Sequence, residues 1–178
     1  MWLKYIEIIG LVAISLFTDI RYYKVKNKVV ISFIFIGIIT NILLYGLAGL
    51  KISIIGMFTP FVILFLLFTL RMIGAGDVKL FCAIGSIGGM NFVLNNLVYS
   101  FLCGGIISIF LMIIRKNFIE RMKYFYNYIF KCIYGGRPGN YTDFDDVSGK
   151  DKFRFVYSIA CGTVIQIIIK TIFSQSIL

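Results

Sequence analysis

Residues 29–70 read VVISFIFIGIITNILLYGLAGLKISIIGMFTPFVILFLLFTL, forty-two residues whose one charged side chain is Lys51. A soluble core has no use for an unbroken apolar run of that length, whereas two passes through a bilayer need about 20 residues each to cross about 30 Å of hydrocarbon. The stretch therefore reads as a helical hairpin in lipid, Val29 to Leu50 and Ile52 to Leu70, turning near Lys51. The rest of the 178-residue chain agrees, being 60% hydrophobic and 15% charged, with a mean hydropathy of +0.93. Outward from the hairpin, four further runs qualify: Trp2 to Ile20, Val78 to Leu94, Leu97 to Ile114 and Phe155 to Phe173. The fourth and fifth spans are parted only by Asn95 and Asn96. The expectation is an all-α polytopic membrane protein, one domain over residues 1–178 with six transmembrane helices. The first run has no weighty basic region before it and no small-x-small site after it, so it reads as a retained helix rather than a signal peptide.

Basic residues orient the spans. Fifteen of the 18 Lys and Arg fall in connections on one side, in the clusters from Arg21 to Lys28, at Arg71 and Lys79, and from Arg115 to Arg154; Lys4, Lys51 and Lys170 fall on the other. That asymmetry marks the first side as cytoplasmic and both termini as outside. The net charge of +10 is accounted for by orientation and by attraction to anionic headgroups, so no nucleic-acid partner is expected.

Parity then brings two acids to one face. Span one runs inward and ends near Asp19; span three returns inward to the turn before Asp77. An ionisable group at the edge of hydrocarbon is costly unless paired or hydrated, which makes both candidates for function. The chain has no histidine, which removes Ser-His and Cys-His nucleophiles and the H-E-x-x-H zinc site. Cys82, Cys103, Cys132 and Cys161 are scattered without metal or disulfide spacing and read as packing residues. What remains is a pair of carboxylates sharing a proton, one activating water and the other polarising a carbonyl. No cofactor and no metal is expected. Gly74 and Gly76 permit a tight turn and close approach before Asp77, whose place at a helix start favours its anion, so Asp77 is expected to be the ionised partner. Lys79 lies about 200° round the helix from Asp77 and is not expected to pair with it; headgroups or a substrate acid are its expected contacts. The alternative to an enzyme is a transporter or assembly subunit using Asp19 and Asp77 as an ion or proton relay.

The segment Gly74-Ala75-Gly76-Asp77-Val78-Lys79-Leu80, with Gly85 beyond it, resembles the G-x-G-D-x-K-L motif of type IV prepilin peptidases. Asp19-Ile20-Arg21 followed by Val25-Lys26-Asn27 resembles that family's D-x-R with a downstream I-P-N, Lys26 standing where proline is usual and leaving the turn geometry open. The resemblance implies a membrane aspartic endopeptidase that removes the basic leader of prepilins or prepilin-like proteins at the cytoplasmic interface. Asp19 and Asp77 become its catalytic dyad, with Gly74, Gly76, Lys79, Arg21 and Asn27 as motif residues. The chain lacks the cysteine-based zinc region of longer members, so the resemblance implies peptidase without methyltransferase activity, as in short Flp/Tad-type or preflagellin-peptidase-like members. Presenilin-like enzymes share G-x-G-D but carry a Pro-Ala-Leu element not found here.

Between spans five and six, Phe118, Ile119, Met122, Phe125, Tyr126, Ile129, Phe130 and Ile133 form an i, i+3, i+4, i+7 stripe. It reads as an amphipathic interfacial helix within the cytoplasmic segment 117–152. Asp143, Asp145 and Asp146 beyond it read as a solvated acidic loop.

Overall fold

The computed structural model describes residues 2–22, 26–70, 72–114 and 155–175. These form six helices and no strand: α1 Trp2–Tyr22, α2 Asn27–Tyr45, α3 Leu47–Thr69, α4 Ala75–Gly88, α5 Met90–Ile114 and α6 Phe155–Gln175. Four of them, α2, α3, α5 and α6, are long and apolar enough to cross a membrane. The expected six helices are present among the described residues, and four of them qualify as spans by length and composition; α1 and α4 differ in character. Helix α1 carries Lys4, Glu7, Asp19 and Arg21, and α4 has 14 residues, about 21 Å at 1.5 Å per residue. The amphipathic stripe, the acidic loop, Arg71, Val25 and Cys132 lie outside the described residues.

Two turns fall away from their expected places. The α2–α3 hairpin turns on Gly46, with φ 61°, leaving Lys51 exposed in the second turn of α3. The α4–α5 break falls on Gly89, with φ 81°, and α5 runs on through Asn95 and Asn96. Both glycines adopt the left-handed backbone that other residues resist. Asn96 does not break the helix because it has a partner: its Nδ2 donates to Thr163 Oγ1 of α6 across 3.0 Å. Inside hydrocarbon such a satisfied amide joins helices rather than ending one.

Helix α4 lies at the centre of the bundle. Val78, Leu80, Phe81, Ala83, Ile84, Gly85, Ser86 and Ile87 are all buried, the all-round apolar character of a helix enclosed by others. It packs on α1, α2, α3 and α5. Its closest approach is to α3, whose buried stripe is Gly49, Ser53, Gly56, Pro60 and Leu64. A Cβ on Gly56 would run into the Gly85 carbonyl, and one on Gly85 into the Gly56 carbonyl. Pro60, lacking an N–H, cannot bond the Gly56 carbonyl four residues back, and that carbonyl lies against Gly85. Asn41 of α2 secures the far end of α4. Fully buried, its Nδ2 lies 2.8 Å from Ser53 Oγ and 2.9 Å from the Ser86 carbonyl, joining three helices through one side chain.

Candidate active site

The inward stripe of α1 is Tyr5, Ile8, Leu11, Val12, Ser15, Thr18 and Asp19. Its spacing of three and four places Asp19 as the last member of the packing face, at the end of the helix rather than on the lipid side. Asp19 is only 9% exposed, while neighbouring Ile20, Arg21 and Tyr22 are exposed. An apolar face ending in a carboxylate aims that group at whatever α1 packs against, which includes α4.

Asp77 enters from the other side. Gly74 is the N-cap residue of α4, and Asp77 is its third helical residue. The Asp77 N–H donates to the Gly74 carbonyl across 3.1 Å, and the Asp77 carboxyl accepts from the Gly74 backbone N–H. The latter is the return half of a capping box. A Cβ on Gly74 would stand 3.2 Å from Asp77 Oδ2, so the first motif glycine keeps room for this carboxylate. Gly76 lies half-buried in the same turn.

The two acids feel one another. Asp77 lies outside the four long apolar helices, and burial first, then the charge of Asp19, push its carboxyl up to about 6 against the lowering effect of the Gly74 hydrogen bond. Two carboxylates near enough for that repulsion favour a singly protonated pair. The helix start does not hold the Asp77 carboxyl at its ordinary value: desolvation and the like charge of Asp19 outweigh the Gly74 hydrogen bond.

The other motif residues are placed in two groups. Lys79 Nζ donates to Asn27 Oδ1 across 3.1 Å, joining the second turn of α4 to the first residue of α2, a contact the sequence alone did not reveal. Arg21 is exposed at the end of α1 with its guanidinium 5.7 Å from the Tyr22 ring, apart from that contact. Lys26, in the place of the usual proline, has φ −69° and ψ 122°. That φ is within the range proline enforces, and the Lys26 ammonium lies 4.1 Å from the centre of the Tyr22 ring. Of the cysteines, Cys82 and Cys103 are half-buried and Cys161 is exposed. Gly56 was not singled out from sequence, although the small residues at 49, 53 and 56 carry the spacing of close-packed membrane helices.

A helical membrane bundle that brings two carboxylates together where α1 ends and α4 begins has the architecture of a membrane aspartic-type peptidase. Residues 6–109, a stretch that holds both Asp19 and Asp77, match the Type IV leader peptidase family. The chain belongs to that family, a family of aspartic-type leader peptidases acting on prepilin-like substrates. Neither a curated protein nor a solved structure matches it.

Proposed function

We propose that the protein removes the leader peptide of prepilins or prepilin-like proteins with Asp19 and Asp77 as its catalytic dyad, at the cytoplasmic interface of the cell membrane. The observation that carries this reading is the electrostatic influence of Asp19 on Asp77, two acids that both lie within the matched stretch, at the end of α1 and the start of α4. The basic residues of the connections at that end, including Arg21, Lys26, Lys28 and Lys79, favour its facing the cytoplasm, with both termini outside and residues 1–178 forming one catalytic domain.

The chemistry follows from one proton shared by two carboxyls. The protonated member donates to the scissile carbonyl oxygen. The ionised member takes a proton from water as the water oxygen bonds to the carbonyl carbon. Collapse of the tetrahedral intermediate breaks the C–N bond as the dyad delivers a proton to nitrogen, leaving a new carboxyl and a new amine. With Asp77 held near 6 and repelled by Asp19, the natural division gives Asp77 the proton and Asp19 the water. A substrate with a basic cytoplasmic leader and an apolar helix in the bilayer presents its junction at this depth.

Cleavage of a co-expressed prepilin-like protein in membranes tests the reading, with wild type, Asp19→Asn and Asp77→Asn at matched expression. Both variants are expected to leave the precursor uncut; processing that survives in either removes that residue from the mechanism.

A further inference from the structure

We propose that Asn27 and Lys79 form a strut that positions Asp77 against Asp19, making both of them positioning residues. The inference rests on the dyad proposed above and adds what holds it together. Lys79 leaves α4 about 200° round from Asp77, so it acts on where the helix end sits rather than on the carboxyl itself. Its partner Asn27 opens α2, eight residues after Asp19 in the chain. The 3.1 Å bond therefore links the segment that follows one acid to the turn that carries the other.

Helix ends fray unless tied, because their first N–H groups lack partners within the helix. The N-cap positions of α2, Lys26, and of α4, Gly74, both make no side-chain capping bond. Apolar packing through Val78, Leu80 and Phe81 runs the length of α4, but its close backbone approach and its polar ties to α2 lie further along, at Gly85 against Gly56 and at Ser86 and Ile87 against Asn41. At the Asp77 end, the Lys79 bond is a tie between two helices, and a lysine with its acceptor on α2 is not thereby a ligand for headgroup or leader.

Two measurements decide it. In cleavage assays, Asn27→Leu and Lys79→Met are each expected to lower kcat about five-fold with KM unchanged, the net size of one ordinary hydrogen bond. The double variant is expected to be no slower than the worse single, and Asn27→Asp, which keeps an acceptor, to stay near wild type. Losses that multiply, or a raised KM with kcat intact for Lys79→Met, overturn the strut in favour of a substrate contact. Independently of any activity, Asp19→Cys and Asp77→Cys are combined in a background whose four native cysteines are alanine, and bridged with a short bifunctional thiol reagent. Adding Lys79→Met or Asn27→Leu is expected to slow bridging several-fold; an unchanged rate overturns the proposal. Processing that persists in Asp77→Asn overturns the dyad instead, and the bridging rate still decides the strut.

Discussion

Gly74 and Asp77 are bonded in both directions: the Asp77 N–H donates to the Gly74 carbonyl across 3.1 Å, and the Gly74 N–H donates to the Asp77 carboxyl. The carboxylate is thereby folded over the first turn of its own helix, within electrostatic reach of Asp19. A side chain so placed pays for its orientation in desolvation, and that is what moves its titration.

Asp77 is expected to titrate near 6 rather than at the ordinary 3.8, and Asp19→Asn to bring it down by removing the neighbouring charge. A hydrophobic carbodiimide, which attacks the protonated carboxyl, reads this by mass spectrometry: labelling of Asp77 falls as pH rises through about 6, and at a lower pH in Asp19→Asn. The sign for stability follows from linkage. Between 3.8 and about 6 the folded protein binds the proton that the unfolded chain has lost, so this group adds stability as pH falls through that window.

Lys26→Pro is expected to fold as the wild type does, because φ −69° is already proline's and the loss of the ammonium contact with Tyr22 is offset by a stiffer unfolded chain. Lys26→Gly loses both and is expected to cost about 1 kcal/mol. Thermal denaturation in detergent separates the two variants.

Gly56→Leu and Gly85→Leu push α3 and α4 apart at their point of closest approach. Overpacking of this kind costs about 1–3 kcal/mol or more, and both variants are expected to lose folded, monodisperse protein and cleavage together. Gly105→Ala, at a position with open space around it, is the control that changes neither.

Asn41→Leu removes the amide that holds Ser53 and the Ser86 carbonyl. Interhelical polar contacts in bilayers contribute about 0.6–2 kcal/mol, so a lower melting temperature in detergent is expected. The amide secures the end of α4 opposite Asp77, so kcat of the folded fraction is expected to stay within about two-fold, as that small coupling allows for distant sites.

Apolar length made the helices and the membrane legible in the sequence, and parity made the meeting of Asp19 and Asp77 legible as well. The turns were less so. Lys51 and the Asn95–Asn96 pair look like breaks because they are polar, but the chain turns at Gly46 and Gly89. A lysine can stay exposed within α3, and Asn96 is satisfied by Thr163 sixty-seven residues away, a partner no local pattern discloses. The raised proton affinity of Asp77 was hidden for a similar reason: the helix start is visible in sequence, whereas the burial and the charge of Asp19 that outweigh it are tertiary facts.

The most direct test of the dyad is the rate of leader cleavage by purified protein in proteoliposomes, for Asp19→Asn, Asp77→Asn and the double variant. Groups that act on one shared proton are lost as a unit. The account predicts that each single variant falls by at least about a thousand-fold and that the double falls no further. Substantial cleavage by either single variant, or a double variant whose loss is the product of the two, contradicts it.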